Sequence, residues 1–574
     1  MVKMVVDRDV EVPMRDGTVL RADVYRIKNG PPAPALIQRI PYRKEEGFVI
    51  PPFRAVEAGY VVVSQDTRGR YQSDGTFVPF AHEIDDGYDT VEWVAAQPWC
   101  DGNVGMTGGS YYGATQWLAA AARPPHLRAI APLHTSSDLY TNWFYQGGAF
   151  ELSFTLMWTL MLLAPDYLSK LAKAGTVEPV ELRELERLLE QLEDLYKFRP
   201  LSGIPLVKRR LPWYGEWLGH PLQSGYWRKI SPQTYHDRID IPVYNIGGWY
   251  DIFLRGTIEN FAGIGRRRPP GSRDNHLIIG PWAHGFMWGV YPQIDYGKLA
   301  SDIAIDLPGK LLNFFDRWMK PAGAAKETPP VELFVMGENR WRQFESWPPD
   351  ADLTPYYLHS EGQANTSRGN GTLSTVHPGD EPSDAYLFDP NHPVPTIGGQ
   401  TFAQGPMIAA QSGPADQTPI EQRHDVLCYT SDVLTEPVTV VGPVKARIYA
   451  SSSAKDTDWV VKLIDVFPDG RALLLTEGVL RARYRESFEN PRLLEPGEVY
   501  EFEIDMWATG NTFLPGHRIR IDVTSSNFPR FDVNTNTGGI LAEEDGKNAV
   551  RAVNTIYHNS KFPSHVLLPV LRRY

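Results

Sequence analysis

Unbroken apolar runs set between helical segments constrain this chain more than any other feature. Tyr60-Val61-Val62-Val63 is such a run, and Asp86 to Ala96 after it has helical character. Strands buried on both faces read this way, because the crossover helices of a parallel sheet cover it on both sides. Before that region the pattern predicts strands with tight turns: Val10 to Val12, a turn at Arg15-Asp16-Gly17, then Val19 to Tyr25 and Ala35 to Arg39.

The pattern changes twice further on. From about Ser137 the chain becomes helical and aromatic, and Leu182, Leu185, Leu188, Leu189, Leu192 and Leu195 form a stripe among charged residues. Short apolar strands return around Ile241, at Val243 to Ile246 and Leu277 to Ile279, so the helical part reads as an insertion that caps the sheet. Beyond Trp347 turn signals multiply, at Gly369-Asn370-Gly371, Asp469-Gly470 and Pro496-Gly497, for example. Alternating runs such as Phe502, Ile504 and Met506 lie between them, the mark of half-buried antiparallel strands. At 574 residues the chain exceeds the roughly 250–300 residues at which a single core stops growing. The predicted layout is an α/β core in two parts, 1–137 and 241–346, a helical cap insertion at 138–240, and a jelly-roll β-sandwich at 347–574.

A formal net charge of −12 gives no electrostatic footprint for phosphate backbones or anionic lipid, so neither nucleic acid nor a membrane is an expected partner. Met1 to Arg21 lacks a signal-peptide core, and no window reaches the ~20 apolar residues of a membrane span; a cytoplasmic location is expected. Cys100 and Cys428 are too few and too far apart for a disulfide framework or a cysteine metal site. No HExxH, histidine cluster, phosphate loop or dinucleotide fingerprint occurs, so no metal or organic cofactor is expected.

The segment Gly105-Met106-Thr107-Gly108-Gly109-Ser110-Tyr111-Tyr112-Gly113 follows a short strand and precedes the helical run Ala114 to Ala121. A serine on such a strand–turn–helix projects its hydroxyl from the sheet edge, over a helix N-terminus that favours a developing oxyanion. Ser110 is therefore the candidate nucleophile of an α/β-hydrolase core. The pentapeptide GxSxG is not quite met, since Tyr112 stands where its second glycine belongs and the next glycine is Gly113.

Chain order strengthens the reading, because this fold carries its acid and its histidine after the serine, on loops following later strands. Gly248-Trp249-Tyr250-Asp251 follows the strand at Val243, and Pro281-Trp282-Ala283-His284 follows the strand at Leu277. An unassisted serine hydroxyl is a poor nucleophile; His284 is assigned to take its proton and return it to the leaving group, and Asp251 to orient the imidazole. Activity should then fall in acid as His284 protonates. For the oxyanion, the backbone N–H of Tyr111 comes with the turn, and a second donor should come from the loop after an early strand. Tyr42 lies on that loop, and spacing alone makes it an ordinary packing tyrosine.

Taken together, Pro41-Tyr42, Gln65-Asp66-Thr67-Arg68-Gly69, Trp99 to Gly113, Gly248 to Asp251, Gly280 to His284 and Phe513 to Ile519 resemble the bacterial cocaine esterase family. Xaa-Pro dipeptidyl-peptidases and alpha-amino-acid ester hydrolases are its relatives, and the likeness spans nearly the whole chain. The resemblance implies an α/β-hydrolase core, an inserted helical cap and a C-terminal jelly roll, with Ser110, Asp251 and His284 as triad. It also implies that Tyr42 donates its hydroxyl to the oxyanion, and that Trp143, Trp158, Phe253 and Phe402 line an aromatic acyl pocket. Alpha-amino-acid ester hydrolases place acidic residues just after the catalytic aspartate, whereas this chain has Ile252, Phe253 and Leu254, against which an ammonium would be costly to desolvate.

The expected substrate is thus a small-molecule ester with a neutral or aromatic acyl group, cleaved through an acyl-enzyme. The alternatives are an amide substrate, as in a dipeptidyl-peptidase or β-lactam acylase, and a glycan-binding protein with an inactive core. Asp66 and Arg68 are expected to form a structural ion pair near the active edge of the sheet. Assembly into a homodimer is compatible with the sequence but not specified by it.

Overall fold

The computed structural model describes residues 3–268, 272–323, 325–402 and 412–572. Its first half is organised by a ten-stranded sheet. The strands are β1 (Met4–Pro13), β2 (Val19–Ile27), β3 (Ala33–Ile40), β4 (Val61–Asp66), β5 (Cys100–Gly109), β6 (Leu127–Leu133), β7 (Val243–Tyr250), β8 (Asn275–Ala283), β9 (Val331–Val335) and β10 (Arg340–Phe344). Their spatial order is β1-β2-β4-β3-β5-β6-β7-β8-β9-β10. From β4 to β9 all neighbours are parallel, while β1, β2 and β10 pair antiparallel at the margins.

Apolar side chains leave the parallel strands on both faces. Ile37, Val63, Met106 and Ile130 pack beneath helices α1 (Glu83–Ala95), α2 (Tyr111–Ala121) and α3 (Leu254–Gly265), whose Val91, Trp117 and Ile264 belong to the same cluster. Their neighbours Leu36, Val62 and Ala129 join a second cluster with Leu311, Phe314 and Phe315 of α4 (Leu307–Met319). Adjacent strand residues thus serve opposite cores, which is why the runs are continuous rather than alternating. Parallel alignment also carries the C-terminal ends of β3, β5, β6, β7 and β8 to one edge, and the loops there build the site.

Between β6 and β7 lies an aromatic, largely helical region. Tyr140–Phe144 and Trp158–Leu163 are π-helical turns, followed by helices that include Ala164–Lys173, Pro179–Glu190, Leu192–Tyr196 and Pro212–Gly219. The leucine stripe packs inward, with Leu185, Leu188, Leu192 and Leu195 buried. Trp143, Trp158, Trp217 and Trp227 share the same core with Tyr111 and Phe253 from the sheet edge.

The remainder is all-β, an eleven-stranded sheet system. In its strand Tyr500–Phe513, Phe502, Ile504 and Met506 are fully buried while the intervening Glu501 and Glu503 face solvent, as the alternation requires. Within this part Arg481 pairs with Asp458 at 2.9 Å and Asp532 at 2.8 Å, and its backbone N–H ties it to the helical region through the carbonyl of Gly147 at 2.8 Å. Cys100 and Cys428 are buried free thiols. Among the described residues no helix is long and apolar enough to cross a membrane.

The expected pairing of Asp66 with Arg68 does not form. Asp66 ends β4 and its carboxylate turns back to accept the N–H of Lys44 at 2.8 Å and of Gln72 at 3.2 Å. Arg68, past the strand end, reaches Asp86 at 2.6 Å and Asp16 at 2.7 Å instead. Burial pushes the carboxyl of Asp66 up to about 7.

Candidate active site

Ser110 joins β5 to α2 with φ 57° and ψ −127°, on the left-handed side of backbone space that side chains avoid. Surrounding hydrogen bonds hold it there. Its N–H donates to the carbonyls of Leu133 (2.9 Å) and His134 (3.2 Å), and its own carbonyl accepts from the Thr135 hydroxyl at 2.8 Å. The departure from GxSxG is resolved by two close approaches. The Tyr112 ring lies against Gly108, where an added Cβ would meet it at 2.3 Å. Gly113 takes up the tight contact with the next strand end, where a Cβ would come within 2.7 Å of Thr135. The second small residue is needed one position later, and Tyr112 fills the space left by Gly108.

Asp251 follows β7 and His284 follows β8, at the same edge as Ser110. Nδ1 of His284 lies 2.7 Å from Oδ1 of Asp251, and the N–H of Phe253 donates to Oδ2 at 3.1 Å. The carboxylate is wholly buried with both oxygens engaged. A carboxylate at this distance assigns the proton to Nδ1 and leaves the lone pair on Nε2, the tautomer a general base needs. His134, after β6, completes a cluster with these two: its Nδ1 is 4.0 Å from Asp251 Oδ1. One ligand atom from each of the three lies within 4.8 Å of the others, the spacing of a metal site. Two of those atoms already share a hydrogen bond, which a cation would have to displace.

Tyr42 stands after β3, beside Arg43 whose φ is 104°. The Trp158 indole donates to its hydroxyl oxygen at 2.7 Å. Burial raises its pKa, so Tyr42 is a neutral phenol and a proton donor. The other expected donor, the N–H of Tyr111, is the first of the helix and has no acceptor within it. The Tyr111 ring is fixed from below: its hydroxyl donates to Glu83 at 2.9 Å and accepts from the N–H of Phe80 at 2.8 Å.

All four aromatic residues named from the sequence gather here. Trp143 stacks on Phe253 at 4.2 Å, Phe253 meets the His284 ring edge-on at 5.1 Å, and Phe402 lies 4.9 Å from that ring. Trp158 is 5.4 Å from Trp143. Three neighbours escaped the sequence reading. Phe154 stacks on Trp158 and touches both Phe253 and Phe402; its spacing of four from Trp158 on a helical run was a usable signal. Trp217 stacks on Trp158 at 5.6 Å. His134 had no signal, since only the order of strands in space brings it to Asp251.

Residues 16–286 match the family model described as X-Pro dipeptidyl-peptidase (S15 family), and residues 322–567 that of the X-Pro dipeptidyl-peptidase C-terminal non-catalytic domain. Cocaine esterase of Rhodococcus sp. (strain MB1 Bresler) is 42% identical over 98% of each chain. The chain belongs to the S15 and cocaine esterase family of serine hydrolases. As a member of it, the protein is a carboxylic ester hydrolase of the serine esterase type. A putative serine esterase of Mycobacterium bovis is 30% identical, covering 84% of this chain and 80% of the relative. Among solved structures, an alpha-amino acid ester hydrolase superposes with a TM-score of 0.83 at 25% identity, covering 99% of this chain and 97% of that one. An aminopeptidase from the marine sediment archaeon Thaumarchaeota archaeon reaches 0.84 at 25% identity, covering 100% and 96%. The family fold is thus an α/β hydrolase with a large mixed sheet and a C-terminal all-β domain, the architecture anticipated above.

Proposed function

We propose that this S15-family esterase cleaves esters of aromatic or other apolar acids through a covalent acyl-enzyme on Ser110. The observation that carries the reading is the Asp251–His284 hydrogen bond at 2.7 Å, set at the same sheet edge as a strained serine between β5 and α2. His284 takes the Ser110 proton as Oγ attacks the acyl carbon and returns it to the departing alkoxide. Water, activated by the same imidazole, then releases the acid. Asp251 stabilises the imidazolium formed in each half-reaction. The hydroxyl of Tyr42 and the N–H of Tyr111 receive the negative charge of the tetrahedral intermediate.

Apolar acyl preference rests on what surrounds His284. Trp143, Phe253 and Phe402 present ring surface, and Ile252, Phe253 and Leu254 after Asp251 are all buried and uncharged. An alpha-ammonium would find no counter-charge in that run and would lose its hydration. The names of several relatives point to peptides, and the same machinery can in principle act on amides. Rates on a p-nitrophenyl alkanoate, a benzoyl ester and an Xaa-Pro anilide test the assignment. The benzoyl ester is expected to be turned over fastest; a faster anilide would reverse the reading. Fluorophosphonate should label the protein and fail to label Ser110→Ala, which is expected to lose about 10⁴- to 10⁶-fold in kcat.

A further inference from the structure

The proposed triad accounts for one of the two imidazoles beside Asp251. The other, His134, is nearly inaccessible to solvent, and its residue is held at φ 46° at the end of β6, the strand lying between those that carry Ser110 and Asp251. Its backbone is part of the nucleophile's frame: its carbonyl accepts the N–H of Ser110, and its N–H donates to the carbonyl of Ile246 at 2.8 Å. Its ring is 5.8 Å from that of His284 and 6.5 Å from that of Trp282. A non-glycine residue persists in this backbone region when its surroundings over-determine it.

We propose that His134 is a positioning residue for the Asp251–His284 pair, a neutral imidazole that keeps the Asp251 carboxylate aimed at His284. This rests on the triad reading above. At 4.0 Å, Nδ1 of His134 is too far from Oδ1 for a hydrogen bond, so it does not compete with the 2.7 Å bond to His284. It is close enough for its N–H dipole to favour the ionised carboxylate and for its ring to exclude water from that oxygen. The titratable groups facing it are Asp251, after β7, and His284, after β8, and the Trp282 ring flanks it. Burial holds its own pKa down to about 4, against the opposing pull of Asp251, so it carries no charge near neutrality. A carboxylate without this neighbour is free to turn or to take up water, and either change loosens its hold on the imidazolium.

His134→Leu, which keeps volume and removes the N–H, tests this against His134→Gln, which keeps a donor. His134→Leu is expected to lower kcat about tenfold with KM unchanged and to move the acid limb of the kcat/KM profile to lower pH, because the imidazolium loses support. His134→Gln should recover most of both, with thermal unfolding recorded for each variant. A folded His134→Leu with wild-type kcat and acid limb overturns the proposal. Equal loss in both variants overturns it too, since bulk rather than the donor would then be what matters. Asp251→Asn and Ser110→Ala separate this result from failure of the triad: if they are inactive while His134→Leu is not, only the role of His134 falls.

Discussion

At the scale of single residues, the site uses backbone strain and one borrowed hydrogen bond. Holding a serine at φ 57° opposes folding by about 1–3 kcal/mol, and glycine is free of that penalty. Glycine is ordinarily less stable than alanine by roughly 0.5–1 kcal/mol inside regular elements. Ser110→Gly is therefore expected to melt at or above the temperature of Ser110→Ala, and a clearly lower Tm for the glycine variant would show that the turn stores no strain. Tyr42→Phe removes a donor and should reduce kcat by about 10²–10³. Trp158→Phe keeps the ring but frees the Tyr42 oxygen from its indole partner. A smaller loss, about three- to tenfold, is expected, again in kcat rather than KM. A Tyr42→Phe effect below threefold would take that tyrosine out of the chemistry.

Among elements, strand-linked features were legible and packing-linked ones were not. The strands at Val61, Val243 and Leu277 showed as apolar runs, and the order of serine, acid and histidine along them placed three loops at one edge. Nothing in the local sequence marks the π-helical turns that carry Trp143 and Trp158, because such a turn is selected by what the aromatic rings pack against. The Asp66–Arg68 pairing misled for a similar reason: two residues apart at a strand end, the side chains answer to different loops. Gly113 shows how fine the fit is. In Gly113→Ala the new methyl group pushes on Thr135, whose hydroxyl anchors the Ser110 carbonyl. A drop in kcat of about 10–100-fold is expected, with little change in KM, and fluorophosphonate labelling rates should report the same loss.

Over the whole molecule, buried ionic contacts join the helical insertion to the all-β part. Within the all-β part, Arg481 bridges Asp458 and Asp532, and its backbone N–H reaches Gly147 of the insertion; removing the side chain in Arg481→Leu leaves buried carboxylates uncompensated, and about 3–5 kcal/mol of stability should be lost in urea denaturation. A buried ion pair that crosses is Glu151 of the insertion with Arg530, 3.5 Å apart, with neither carboxylate oxygen hydrogen bonded. Burial, only partly offset by Arg530, pushes its pKa up to about 8. Because the folded state binds this proton more tightly than the unfolded chain, the contribution is present below about 4.5 and is lost as pH rises through about 8. Glu151→Gln, always neutral, should gain on the wild type between pH 5 and pH 9; parallel denaturation curves across that range would refute the assignment.

The indole that bonds Tyr42 belongs to the helical region between β6 and β7, not to the sheet that carries the tyrosine. A designer, or a lineage, remodelling residues 138–240 to admit new acids is therefore also rewiring turnover. Grafts that discard Trp158 should yield catalysts with altered taste and blunted speed, unless a new donor is supplied to the phenol.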